Sequence, residues 1–128
     1  PTRRSSDLAP IVTTKQLLSI WGSAENDIWA VGDNTTLLHW NGADWRDYLP
    51  AVTAVFPEAL RGVWGTSAND VRIVNGRGTV LHWDGVTWSS SMYLGTPMDP
   101  YGLVAIWGIG PNDFWLAGLR GTLVHYHP

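Results

Sequence analysis

Apolar positions along this chain come in short runs, not at helical spacing. Residues 18–21 form an apolar run ending at Gly22. The polar cluster at 23–27 suits a turn, because Asn and Asp side chains bond the backbone two residues on. Residues 28–31 are a second run, closed by Gly32, Asp33 and Asn34. Residues 36–40 are a third, with the β-branched and aromatic character of a strand. Asn41-Gly42, and Asp84-Gly85 further on, predict type I′ hairpin turns with positive φ at both central residues. Trp45 and Trp88 then open a fourth strand, placed to pair across the hairpin with Trp40 and Trp83. Only residues 15–18 offer any helical alternative.

The pattern repeats. Trp21-Gly22, Trp64-Gly65 and Trp107-Gly108 recur every 43 residues without a gap. The same step relates Asn26-Asp27, Asn69-Asp70 and Asn112-Asp113, then Thr36, Thr79 and Thr122, then His39, His82 and His125. Four short strands per ~40–45 residues is the spacing of a β-propeller blade. The expected fold is therefore an all-β propeller of four-stranded blades. One domain covers 1–128, with repeats at about 17–59, 60–102 and 103–128 and an N-terminal strand within 2–16.

The motif L-x-x-V/I-W-G-x-x-x-N-D-V/I-W-x-V-G-x-x-x-T-L-L-H-W-N/D-G-x-x-W resembles the Trp-Gly propeller repeats of bacterial secreted and surface proteins, many of them myxobacterial. The resemblance runs from Leu17 to the C-terminus. It implies a propeller and a secreted, periplasmic or cell-surface setting, and it implies no activity.

The third unit stops where its fourth strand would begin, and Thr2 aligns with Trp45 and Trp88. One terminus thus supplies the strand that the other lacks. Three blades do not close a ring, since propellers have typically ~4–8. The open blade faces call for a second copy, giving six blades, or for the remainder of a longer chain. The initial Pro in place of Met fits a trimmed product.

Composition narrows the function. The 128 residues carry a formal charge of −3, which excludes a generic nucleic-acid binder, because that needs a basic face to displace counterions. No apolar run reaches the ~18 residues that span a bilayer, and no basic-led apolar leader is visible, so membrane insertion is not expected. Without cysteine there is no disulfide, thiolate metal site or Cys nucleophile. Nine Trp and 14 Gly against 15% charged residues describe a chain built from its repeat. Most of the Trp are expected between blades.

His39, His82 and His125 invite a zinc reading. Their strand lies two strand spacings, ~10 Å, from the innermost one, so ligands in different blades cannot meet at ~2 Å. Each histidine is expected to bond a turn of its own blade. Asp27, Asp70 and Asp113, one per blade, cannot pair at the ~5–10 Å that glycosidases use, so backbone capping in their turns is expected. An Asp-His-Trp set within one blade resembles the structural networks of other propellers. Asn34-Thr35-Thr36 is a sequon in form and a turn in context. Gly76-Arg77-Gly78 is no phosphate cradle, because no strand-to-helix step follows it. Ser89, Ser90 and Ser91 have no activating His or Lys and read as solvated strand or loop. No acid, base or nucleophile set converges, so no enzyme, cofactor or metal is expected.

Residues that recur in every unit serve what every blade needs, so function belongs where units differ. Trp29 and Trp115 are matched by Arg72. The turns between second and third strands, and the long Pro-bearing connections between blades, differ and emerge on one face, where loops on a rigid scaffold carry binding. The candidate ligand-binding residues are Asn34, Arg77, Arg120, Phe56, Tyr93 and Tyr101. The expected function is a non-catalytic binding module for a glycan or a protein surface. The hairpin at 83–88 is similar to that of small Trp-rich fucose-binding propeller lectins, without their Arg/Glu pair. The alternative is a protein-interaction scaffold in a larger assembly.

Overall fold

A computed structural model describes residues 8–48, 58–93 and 102–128, the last two residues of 58–93 by backbone alone. Among the described residues eleven strands follow one another: β1 Leu17–Ala24, β2 Asp27–Gly32, β3 Thr36–Trp40, β4 Trp45–Asp47, β5 Leu60–Ser67, β6 Asp70–Asn75, β7 Thr79–Trp83, β8 Trp88–Tyr93, β9 Leu103–Gly110, β10 Asp113–Gly118 and β11 Leu123–Tyr126. They form three antiparallel sheets in simple up-and-down order: β1–β4, β5–β8 and the three-stranded β9–β11. These are blades one, two and three. β1, β5 and β9 stand next to one another along the inner edge. Among the described residues no helix is long and apolar enough to cross a membrane.

The register repeats with the sequence. Each first strand has bulges at the same two places, Leu17/Ser19 and Gly22/Ala24 in blade one and Leu60/Gly62 and Gly65/Ser67 in blade two. The second bulge explains the Gly after each repeated Trp. A Cβ on Gly22, Gly65 or Gly108 would stand 2.9, 2.5 or 2.6 Å from the carbonyl oxygen of Asp27, Asp70 or Asp113. Trp40 pairs with Trp45 and Trp83 with Trp88, as the hairpin pattern predicts.

Two apolar seams hold the blades together. In the first, Trp29, Val31 and Leu37 of blade one meet Leu60, Val63, Val71, Ile73, Leu81 and Trp88 of blade two. In the second, Trp64, Val74 and Val80 of blade two meet Leu103, Ile106, Phe114 and Leu116 of blade three. The trailing faces of blades one and two are therefore seated on the leading faces of blades two and three.

Two sequence expectations change, those for the hairpin turns and the N-terminal strand. The Asn41-Gly42 and Asp84-Gly85 turns are not type I′, because only the glycines have positive φ, at 97° and 100°. The loops are four residues long, and the Asn41 and Asp84 side chains shape them by accepting two backbone N–H bonds each. Residues 15–18 take no helix, and β1 begins at Leu17. Residues 8–16, the described part of the expected N-terminal strand, are not a strand. They include Pro10, which has no N–H for a ladder, and they lie against the leading face of blade one. The portion aligned with β4 and β8 lies outside the described residues.

Candidate binding rim

The recurring polar residues are consumed inside their own blades. The His39 Nε2–Asp27 Oδ1 distance is 2.6 Å, and the His82–Asp70 and His125–Asp113 contacts are 2.7 Å. Each histidine thus bonds the carboxylate that its own blade's turn cluster supplies, and the aspartates take a side chain instead of capping. The β2–β3 register explains this: Trp29 pairs with His39, so Asp27 lies diagonally across on the same face. The hydroxyls of Ser23 and Thr66 donate to the same carboxylates in blades one and two. Ile109 occupies that place in blade three. The carboxylate sits between hydroxyl and imidazole, so the histidine is not placed to take the hydroxyl proton.

Trp29 packs on His39 with ring centroids 4.2 Å apart and the planes tilted by 44°, and Trp115 stacks flat on His125 at 4.0 Å. Arg72, the residue that breaks this pattern, belongs to the second seam. Its Nη2 donates to the Pro111 carbonyl at 3.2 Å, and its guanidinium lies 4.7 Å from the Phe114 centroid.

The units differ at the β2–β3 turns, and these turns do share one rim with the entries to the first strands. Asp33 N donates to Gln16 O, Gly76 N to Ala59 O and Leu119 N to Gly102 O, one equivalent bond per blade. In blade one the Thr36 N–H closes the turn on Asp33 O, with Asn34 and Thr35 at φ 54° and 61°. In blade three Thr122 N closes on Leu119 O, with Arg120 at 57° and Gly121 at 72°. Positive φ at both central residues, expected at the Asn-Gly and Asp-Gly hairpins, is found here instead.

Thr35 is the exceptional residue, since a β-branched side chain seldom takes this conformation and pays ~1–3 kcal/mol for it. Bonds into the neighbouring blade hold it there. Its N–H donates to Glu58 O at 2.9 Å, and its Oγ1 accepts from Glu58 N at 3.1 Å. The Glu58 carboxylate pairs with Arg77 Nε at 3.1 Å. Arg61 Nε and Glu58 Oε1 stand 3.0 and 2.8 Å from where a Cβ on Gly76 would be, and that Nε is buried with no acceptor among the described residues. The rim thus carries Asn34, Arg77 and Arg120 at equivalent positions of three turns. Thr35, Glu58 and Arg61 join them, unmarked by the repeat. Tyr93 ends β8 opposite Thr79. Phe56 and Tyr101 lie outside the described residues.

Radially stacked, up-and-down four-stranded units of this kind define the β-propeller, and the chain has that architecture. No known protein family matches the chain, and no curated protein matches it. Among solved structures it is similar to one described as YCF48 bound to D1 peptide, at 23% identity and a TM-score of 0.73, covering 90% of this chain and 38% of that one. It is also similar to YCF48 from Cyanidioschyzon merolae, at 20% identity and a TM-score of 0.70, covering 91% and 35%. The chain spans little more than a third of the length of these structures.

Proposed function

We propose that the chain is a non-catalytic, protein-binding propeller module whose β2–β3 rim takes an extended peptide segment of acidic character. The observation that carries this reading is the rim itself: Arg77 pairs with Glu58 beside the first seam, Arg61 lies next to Gly76 of the same turn, and Arg120 holds the equivalent place in the turn of blade three. Planar guanidinium groups suit bidentate capture of carboxylates. The turns are tied to the neighbouring strands before any ligand arrives, so binding costs little ordering entropy. The fold likeness to a propeller bound to a peptide supports the same ligand class. The aspartate–histidine pairs are closed within their blades, which fits a scaffold role. The Trp-Gly repeat resemblance favours a secreted, periplasmic or surface setting. A glycan ligand, with the lectin-like hairpin as its motive, is the competing outcome.

An array of acidic and charge-neutral twelve-residue peptides, set beside a panel of monosaccharides read by Trp fluorescence, separates the two. The acidic peptides should be retained. The pair Arg77→Ala with Arg120→Asn should weaken them at least ~tenfold, about 1.4 kcal/mol, with an unchanged melting temperature. Asn at 120 keeps the left-handed turn, as Asn34 does in blade one. A fluorescence response to millimolar sugar without peptide binding, or peptide binding untouched by the double substitution, overturns the reading.

A further inference from the structure

Blade two has a neighbour on both sides within the chain, and three of its rim residues depart from the repeat together. Glu58 stands where the other units have Lys15 and Tyr101, Arg61 where they have Leu18 and Val104, and Gly76 where they have Asp33 and Leu119. The three departures meet at one point. A Cβ on Gly76 would stand 2.8 Å from Glu58 Oε1 and 3.0 Å from Arg61 Nε, so the missing side chain is what lets both head groups lie over this turn. The first β5–β6 bulge brings Arg61 there. The register passes from Leu60 to Gly62, and the residue between them is turned out of the ladder.

Two guanidinium groups here face one carboxylate. Glu58 Oε2 accepts from Arg77 Nε at 3.1 Å, in a pair open to solvent, with the Arg77 side chain 46% and the Glu58 side chain 26% exposed. Arg61 Nε is buried and has no acceptor among the described residues. A buried donor without an acceptor has lost its bonds to water and gained none in return. The Glu58 backbone is fixed, since its N–H and its carbonyl are both bonded to Thr35. Moving the carboxylate from one arginine to the other therefore asks only for a turn of the side chain.

We infer that Arg61 is a positioning residue for the acidic segment and acts through Glu58, an inference that rests on the acidic-peptide reading of the rim. In the free chain Glu58 holds Arg77. A ligand carboxylate arriving from solvent takes Arg77, and the displaced Glu58 carboxylate turns onto Arg61 Nε. The buried donor gains the acceptor it lacked, and each arginine then faces a carboxylate of its own. Glu58 is thus a built-in competitor for the ligand, and Arg61 offsets its displacement.

Binding of acidic twelve-residue peptides to the full chain, to Arg61→Met, to Glu58→Gln and to the double variant makes the test a thermodynamic cycle. Arg61→Met should weaken binding at least ~fivefold while Glu58 is present and leave it unchanged in the Glu58→Gln background. Equal loss in both backgrounds would mean that Arg61 meets the peptide itself, and no loss in either that it plays no part. Both results overturn the inference and leave the acidic-peptide reading standing. A parent that retains no acidic peptide removes that reading and the inference with it. A second readout needs no peptide. The Arg61 Nε–H resonance, assigned by its disappearance in Arg61→Lys, should move downfield in Arg77→Met, because Glu58 has then lost Arg77. A resonance that stays in place overturns the inference.

Discussion

The indole of Trp21 in blade one lies across the backbone of Gly65 in blade two, and the Asp70 carbonyl closes on that glycine from within its own blade. The glycine thus admits a bulge in its own sheet and a ring from its neighbour. Gly65→Ala would place a methyl 2.5 Å from the Asp70 oxygen and 2.8 Å from the ring. Backbone cannot yield as a flexible side chain does, so the substitution should cost ~1–3 kcal/mol. Gly110→Ala, with nothing within 4 Å of the added carbon, should leave the urea midpoint unchanged or slightly raised. Equal midpoints for the two variants would remove the close approach from the account.

The Asp–His contacts should matter unequally. Asp70 holds His82 and the Thr66 hydroxyl, with Arg72 Nη2 3.6 Å away, and its side chain is 15% exposed. Asp113 holds His125 with Ile109 where the hydroxyl would be, and is 40% exposed. Asp70→Asn should cost ~1–3 kcal/mol by leaving its partners without a charged acceptor, and Asp113→Asn distinctly less. Denaturant titration of both variants ranks them. The reverse order would mean that the buried networks are not what ties β6 to β7.

Acid should loosen one hairpin in particular. The backbone N–H groups of Thr87 and Val86 donate to Asp84 and hold its carboxyl below its ordinary value of 3.8. A depressed folded pKa gives stability that is fully present above the unfolded value, and lost as pH falls through the lower folded one. The effect belongs below about pH 4. Asn41 makes the same two bonds in blade one without a charge. Asp84→Asn should therefore flatten the fall in stability below that pH and leave neutral stability nearly unaltered. Parallel acid limbs for parent and variant would contradict it.

The strands were legible because the 43-residue step and the alternation of Trp, Gly and β-branched residues are local signals. Thr36–Trp40 is a strand with the limits its pattern suggests, and Trp40 meets Trp45 across the hairpin. Turn geometry was less so. Asn41-Gly42 carries a type I′ signature, yet two backbone donors captured by the Asn41 side chain select a longer loop. The left-handed pair falls on Asn34 and Thr35, where bonds from Glu58 across the seam outweigh the preference of Thr. The Thr35–Glu58 bonds belong to the first seam and leave no periodic trace, which is why Glu58 and Arg61 went unmarked while Arg77 stood out. Trp64 and Trp107 hold the same place in the repeat and differ in exposure among the described residues, 7% against 64%, because burial depends on the neighbouring blade and not on the repeat alone.

The central claim is that the repeated Trp holds blade to blade, and Trp64, 7% exposed in the second seam, is where it is tested most directly. The measurement is the unfolding free energy of Trp64→Ala against the parent, by urea titration at neutral pH. The account predicts a loss of ~3–5 kcal/mol, as for other large buried aromatics. A loss below ~1 kcal/mol, the range of surface substitutions, would contradict it.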